Sequence, residues 1–454
     1  MAQDKQYKSD LGDIEKLIDP ANGESAIPES AVIHTDYNLK ALNIPMLLML
    51  IVMIVFGLVI LYSVSGPDAY GLHHDSAYFL KRQIIQTIIG LVACIAIAFW
   101  PIKFFAQKWV MILAYLGSLG LAFWTLAAGV GSEHGATRWV NIGPIQFQSS
   151  EVIKVALIIS FAGYRAAVDK RRKEGKFRPR KTARAQAIFN AIVDLVIPAV
   201  FIIIVDIVII MQPHVSCFII IAAVIVMSAF VSEIPLKSWL VGGALMLGFA
   251  VVLLGFVMAL LPAEGRDKIL KNYAHVFKRI AIFNQGDDDE ENGSNLTKDD
   301  TRQIDNAHNA LGSGGMWGVG LGNSRSKYNY VAEAQNDYIF SIYIEETGFV
   351  GGLILMTMYM IMFVMCVRVI MQANGVFNRT VATGCTALIF IEVLMNISVE
   401  LQVIPATGVT LPFMSYGGTA QIMLLVAYGL ILSVSKYGKK PKENKPARST
   451  KKAV

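Results

Sequence analysis

Charge is what this chain has least of. Only 16% of its 454 residues are Asp, Glu, Lys or Arg, against 54% apolar ones. A soluble domain of this length would need far more charge to cover its surface, so a soluble globular protein is excluded. Cysteine is scarce too. Its four copies, Cys94, Cys217, Cys366 and Cys385, fall inside apolar runs without metal-like spacing, which argues against a disulfide framework and against a zinc site. No repeat recurs at a fixed period. A short basic start followed at once by an apolar stretch is also missing. No cleavable signal is therefore expected, and the first span should remain as an anchor.

What the chain does have is long apolar runs, such as IPMLLMLIVMIVFGLVILYSV from Ile44 to Val64. A bilayer core ~30 Å thick is crossed by about 20 such residues in a helix. Ten spans are expected, near 44–64, 83–101, 107–128, 150–167, 189–206, 208–230, 237–262, 345–371, 380–402 and 414–435. Backbone groups in lipid must be satisfied internally, which makes each span a helix. The predicted fold is an all-α polytopic membrane protein of about ten transmembrane helices. A long extracytoplasmic loop, 263–337, lies between spans seven and eight, and 338–348 suits a separate interfacial turn. Residues 1–43 form a polar N-terminal segment, 44–436 the transmembrane domain and 437–454 a basic tail.

Segment 165–184 carries ten Lys/Arg against two acids, and the tail from Lys436 eight against one. The positive-inside bias puts both in the cytoplasm, together with both termini. The same parity sends 65–82, 129–149 and 263–337 to the outer face. The net charge of +6 then reports topology and attraction to anionic lipid headgroups. It does not call for nucleic acid.

Four segments on the outer face carry candidate chemistry. In GATRWVNIGPIQFQSSEVIKV (Gly135–Val155), Glu151 and Lys154 share a helix face at the start of a span. They read either as a salt bridge pinning two helices or as a cavity-lining pair that meets substrate. Arg138, beside Trp139, suits an interfacial anchor or a cation for phosphate. The run from Asp287 to Glu291 reads as a solvated face, as a source of a general base, or as a Mg²⁺ ligand. Six glycines between Gly312 and Gly322 superficially resemble a nucleotide fingerprint, but no strand precedes them, so a dinucleotide fold is rejected. They could instead present backbone N–H groups to phosphate. In VIPATGVTLPFMSYGGTA (Val403–Ala420), two prolines and a glycine pair imply irregular backbone at membrane depth, which is tolerated only when buried in protein or lining a wet cavity. The residues alone suggest a helical bundle with an outward-facing polar cavity suited to an amphiphilic phosphate. They leave open whether that substrate is moved or made to react.

These segments, in this order, resemble the SEDS family of cell-wall proteins, which contains FtsW, RodA and SpoVE. The likeness runs from about residue 40 to about 436. It is carried by Arg138-Trp139 with Gln148, Ser149, Ser150, Glu151 and Lys154, by Gly312–Gly315 with GVGLGNSRSKYNY, by Glu333 and Asp337, and by LPFMSYGG. GLGNS is closer to the FtsW/SpoVE branch than to RodA. Spacing from Asn284 places the family's loop aspartate at Asp288, and Gln303 stands where the family has its glutamine before Gly312. Between those anchors the chain departs: Gln285 replaces proline, Thr301-Arg302 replaces Gly-Tyr, and about eight residues are inserted. Asp287, Asp289, Asp299 and Asp300 thus stay in contention for the role.

The resemblance implies an inverting peptidoglycan glycosyltransferase that polymerises lipid II, working with a class B penicillin-binding transpeptidase in the bacterial cytoplasmic membrane. It points to Asp288 as general base and to Arg138, Lys154 and Lys327 as cations for the departing pyrophosphate, with Glu151 orienting Lys154. Trp139, Gln148, Ser150, Gln303, Lys327, Glu333, Asp337 and Ser415 are implied substrate contacts. No cofactor is required, and a divalent cation, Mg or Mn, is a candidate on ligands that remain unknown. The rival readings are a lipid II flippase and a non-catalytic scaffold for the transpeptidase.

Overall fold

The computed structural model describes residues 42–131, 137–142, 145–177, 180, 182–212, 214–260, 298–328 and 334–437. Of these, 130–131, 137–138, 141–142, 145–146, 249–260 and 298–304 are described by backbone only. Asp288 and Glu333 lie outside the described residues, as do the segments 1–41 and 438–454.

The chain opens with α1 (Ile44–His73), whose first turn holds Pro45 and donates the Met46 amide to the Asn43 side chain. This helix outruns the expected 44–64 because Pro67 is carried within it, and it closes where His74 turns left-handed and its amide bonds Tyr70. Next come α2 (Tyr78–Phe99), a helical turn at Ile102–Phe105 and α3 (Lys108–Ala128). Strands β1 (Val130–Gly131), β2 (Thr137–Ile142) and β3 (Ile145–Gln148) lead into α4 (Ser149–Lys173). Helix α5 (Ala183–Met211) contains a π turn at Ile192–Val196, and α6 (Val215–Val231) and α7 (Leu236–Leu260) follow it. Beyond lie α8 (Lys298–Ser313), α9 (Ile339–Gln372), α10 (Val376–Glu400) and α11 (Gly418–Ser435).

Ten of these helices coincide with the ten expected spans. Seven of them, α1, α2, α3, α5, α9, α10 and α11, are long and apolar enough to cross a membrane. Helix α6 has only 17 residues. Helix α4 carries Glu151 in its first turn and four basic residues in its last. One correction concerns 129–149, expected as loop, where a small antiparallel sheet of order β1-β2-β3 forms. Trp139 pairs with Gln148 and Ile142 with Ile145. The signal was present in IQFQ, which alternates apolar and polar residues directly after a Gly-Pro turn pair.

Helices α10 and α11 form the centre, with 78% and 72% of their spanning windows buried, against 22–44% for the other five spans. Leu388 and Ile389 of α10 and Leu424, Leu425 and Leu432 of α11 belong to one buried cluster with Leu50, Met53 and Leu61 of α1 and Cys94 of α2. A second cluster joins Ile153, Leu157 and Phe161 of α4 to Ile202 and Val205 of α5 and Ile221 of α6. All four cysteines are free and buried. Small residues let α2 and α11 approach closely, since a Cβ on Gly429 would stand 2.7 Å from the Cys94 carbonyl oxygen.

At the end opposite the sheet, α4, α5, α6 and α7 are tied by one buried carboxylate. Asp194, in the π turn, accepts from Arg165 Nη1 at 2.7 Å and from Arg172 Nη2 at 3.0 Å. Arg165 also reaches the Ser232 carbonyl, and the Ser238 hydroxyl donates to Asp194. The π turn swings Asp194 inward and leaves the Val193 carbonyl to accept from the Tyr164 hydroxyl.

Gly429→Leu should therefore push α2 off α11 and lower the melting temperature of the detergent-purified protein, an overpacking cost of about 1–3 kcal/mol. An unchanged melting curve would mean that these two helices do not touch there.

Candidate functional site

At the sheet end of the bundle, a charged cluster opens α4. Lys154 Nζ lies 2.8 Å from Glu151 Oε2, one turn earlier on the same helix. It also bonds Glu392 of α10. All three side chains are buried, with Glu392 1% exposed. Charges withdrawn from water persist only when paired, and an intramembrane lysine is otherwise costly. One ammonium faces two carboxylates here, so the cluster carries a formal excess of negative charge. The second Glu392 oxygen and the Ser150 hydroxyl, both buried, have no hydrogen-bond partner among the described residues.

Glu392 begins a polar stripe on α10. Asn396 and Glu400 follow at intervals of four, placing all three on one face of the helix. Asn396 donates to the carbonyls of Asp337 (2.8 Å) and Val409 (2.9 Å), joining the segment before α9 to the segment after α10. Glu400 accepts from the Phe340 amide and from the amide and hydroxyl of Ser341. Those amides are the unsatisfied donors at the start of α9, whose own N-cap, Tyr338, supplies no side-chain bond. A carboxylate is also favoured there by the positive end of the helix dipole.

The glycine cluster is a packing device. Val319 and Gly320 amides bond the carbonyls of Glu345 and Glu346, while Phe349 and Val350 amides bond those of Gly315 and Met316. A Cβ on Gly318 (φ +75°) would stand 2.2 Å from the Glu346 carbonyl oxygen, and one on Gly348 (φ +71°) 2.4 Å from the Gly318 nitrogen. No other residue fits either position. Gly348 also breaks α9, setting off the short turn expected over 338–348. Lys327 is clamped beside this contact, donating to Gly322 O (2.7 Å), Glu346 Oε1 (2.9 Å) and Ser63 O (3.2 Å). Its three protons are thus spent inside the protein. Glu345 is held likewise by the Ser324 hydroxyl and the Arg325 amide.

Residues 401–417 form irregular chain between α10 and α11, and side chains from elsewhere satisfy its backbone. Gln83 of α2 donates to the Ser415 carbonyl and accepts from the Gly417 amide. Tyr359 donates to the Pro412 carbonyl and Ser216 to that of Thr407. The Tyr416 amide donates to the Gln335 carbonyl. Buried polar oxygens without a hydrogen-bond partner among the described residues include several at this end of the bundle: Gln86 Oε1, Gln335 Oε1, Asn396 Oδ1 and Thr407 Oγ1, besides Glu392 Oε2.

Of the residues singled out in the sequence, Glu151, Lys154 and Ser150 sit together in the buried cluster. Gln148, half-buried, donates its amide to Thr419 of α11 and pairs with half-buried Trp139 across the sheet. Asp337 is half-buried near Gly408. Ser415 is buried, and its hydroxyl accepts from the Leu411 amide. That bond closes a turn, while Lys327 closes the glycine clasp, so both side chains are committed to internal contacts. Arg138 lies on β2 and Gln303 on α8, each described by backbone alone. Among the described residues, no three His, Cys, Asp or Glu side chains are grouped to hold a metal ion. The acidic run Asp287–Glu291 lies outside them.

Sequence reasoning missed Glu392, Asn396, Glu400, Glu345, Glu346 and Gln83. The signal for the first three was available, since two acids eight residues apart with an asparagine midway, all on one face of an otherwise apolar span, demand partners.

These features define a class: a polytopic helical membrane protein whose polar residues gather at one end around a buried lysine. Residues 43–440 match the family model described as cell cycle protein, FtsW/RodA/SpoVE, and the chain belongs to that family. It is 29% identical over 408 residues to a probable peptidoglycan glycosyltransferase FtsW of Trichlorobacter lovleyi, covering 89% of this chain and 96% of the relative. It is 30% identical over 402 residues to the stage V sporulation protein E of Bacillus subtilis, covering 87% and 98%. Among solved structures, a chain of a peptidoglycan synthase complex that coordinates polymerization and crosslinking superposes with a TM-score of 0.59 at 22% identity, over 87% of this chain and 98% of that one. The rod shape determining protein RodA of Thermus thermophilus gives 0.56 at 21% identity, over 88% and 99%. At such identities the structural likeness speaks for the fold.

The charge count of the cluster sets the order in which substitutions hurt. Lys154→Ala strands two buried carboxylates and should cost about 3–5 kcal/mol. Glu392→Gln leaves a neutral Lys154–Glu151 pair and should cost about 1 kcal/mol. Thermal melting of the two purified variants checks this, and the reverse order would contradict the assignment.

Proposed function

We propose that this protein is a peptidoglycan glycosyltransferase that polymerises lipid II into glycan strands at the outer face of the cytoplasmic membrane. The observation that carries the reading is family membership along nearly the whole chain, with relatives of matching length bearing that activity in their names. A role in division fits the FtsW name among those relatives. The chain is a multi-pass membrane protein. Both termini are assigned to the cytoplasm because the basic segment closes one end of the bundle while the sheet, the glycine clasp and the 401–417 chain occupy the other.

The chemistry follows from the substrate. Lipid II presents its sugar through an α-linked pyrophosphate, and the new glycosidic bond is β, which one in-line displacement achieves. A carboxylate removes the proton from the acceptor hydroxyl as it attacks, and Asp288 is assigned that role. Negative charge grows on the departing pyrophosphate, which fixed cations stabilise. Lys154 is balanced by Glu151 and Glu392 and Lys327 by Glu346, and Arg138 is assigned this task. Lys154 then serves to hold α4 and α10 in register beneath the reacting groups. A class B penicillin-binding transpeptidase is the proposed partner, in keeping with the synthase complex among the structural relatives.

Purified protein, alone and with its cognate transpeptidase, should convert lipid II into glycan in detergent or vesicles. Asp288→Ala should slow this by about 10²–10⁴. Undiminished activity in Asp287→Ala, Asp288→Ala and Asp289→Ala alike would remove the acidic run from the mechanism. Headgroup translocation without polymer would replace the enzyme by a transporter.

A further inference from the structure

Far from the polar site, an apolar groove runs between α3, α4 and α5, lined by Met111, Tyr115, Leu157, Phe161, Phe201 and Ile202. It lies in the half of the bundle nearer the basic end, because Met111 and Tyr115 belong to the first two turns of α3, and Tyr164, at its edge, precedes the basic last turn of α4. Its polar groups are satisfied within the protein. Ser160 donates to the Ala156 and Met111 carbonyls, Tyr164 to that of Val193 and Tyr115 to that of Phe201. A groove with no unmet hydrogen bond has no use for water and suits an alkyl chain. Ile112, Leu116 and Phe201 along its rim are exposed, so it opens toward the bilayer.

The mouth is cationic. Exposed Lys108 stands one helical turn before Ile112 at the rim, and exposed Arg171 two turns beyond Tyr164, each on the same helix face as that groove residue. The acids nearby are already engaged: Asp194 by Arg165 and Arg172, Asp169 by Lys173, and Glu174 by Lys170 and Lys176. Lys108 and Arg171 are in none of these ion pairs. Trp109, next to Lys108 and half-exposed, marks the headgroup level, where amphipathic rings settle.

We infer that this groove binds an anionic glycerophospholipid of the leaflet at the basic end, with one acyl chain between α3 and α5 and its phosphate between Lys108 and Arg171. The occupant is fixed by charge complementarity. A neutral-headed lipid would fill the groove equally well but would gain nothing from two cations that form no ion pair among the described residues, and each such cation is worth about fivefold in affinity near a membrane surface. Nothing in this site depends on the reaction assigned to the opposite end.

The test is native mass spectrometry of the full-length purified protein titrated with phosphatidylglycerol and, separately, phosphatidylcholine. Phosphatidylglycerol should be retained preferentially. Lys108→Ala and Arg171→Ala should each reduce that preference by about fivefold. Leu116→Trp, which crowds the rim, should lower retention of both lipids. Because these side chains are exposed, melting temperatures should stay at the wild-type value. Equal retention of the two lipids by the wild type, or a preference that survives both cation substitutions, would overturn the assignment. So would displacement of phosphatidylglycerol by undecaprenyl phosphate at equal concentration, which would give the groove to a polyprenyl chain.

Discussion

Charge buried within a membrane bundle must find a partner, and the arrangement of this protein follows from how α10 meets that constraint. Three polar residues on one face of the most buried helix reach in three directions. Glu392 takes the α4 lysine, Asn396 takes carbonyls from two separate connections, and Glu400 caps α9. None of these residues could face lipid without a large penalty. Their partners come from chain segments up to 238 residues away. The stripe therefore fixes which connections converge at the sheet end.

Two further devices make that convergence rigid. The glycine clasp brings the 314–320 backbone directly onto the 345–350 backbone, at positions where a single methyl group would collide. The 401–417 connection, irregular as it is, has its carbonyls taken up by Gln83, Tyr359 and Ser216. At the other end, Asp194 in a π turn balances two arginines and keeps α4, α5 and the start of α7 together. Polar bonds thus bracket a middle held by apolar packing, where the buried Leu, Ile and Met side chains of α1, α10 and α11 meet.

The apolar helices were readable in the sequence because a bilayer imposes length and apolarity locally: each of the ten runs coincides with a helix, and seven of those helices are long and apolar enough to span. The pairing of Glu151 with Lys154 was readable for a similar reason, since three residues along a helix bring side chains together. Glu392 was not read, because its meaning depends on a lysine more than two hundred positions away. Lys327 shows what only the fold supplies. A cation in a glycine-rich loop reads like a phosphate ligand, and only the fold reveals that Glu346 and two carbonyls already occupy it. The small sheet was overlooked because a short alternating stretch between two spans was treated as loop by default.

The central claim is that Lys154 and Glu392 form one buried unit joining α4 to α10, and a double-mutant cycle measures it most directly. Lys154→Met, Glu392→Gln and the double variant, compared by unfolding in a fixed detergent, report their coupling free of each residue's separate contribution. The account predicts that the double variant loses less stability than the sum of the singles, by about 1 kcal/mol or more. Strict additivity would contradict it.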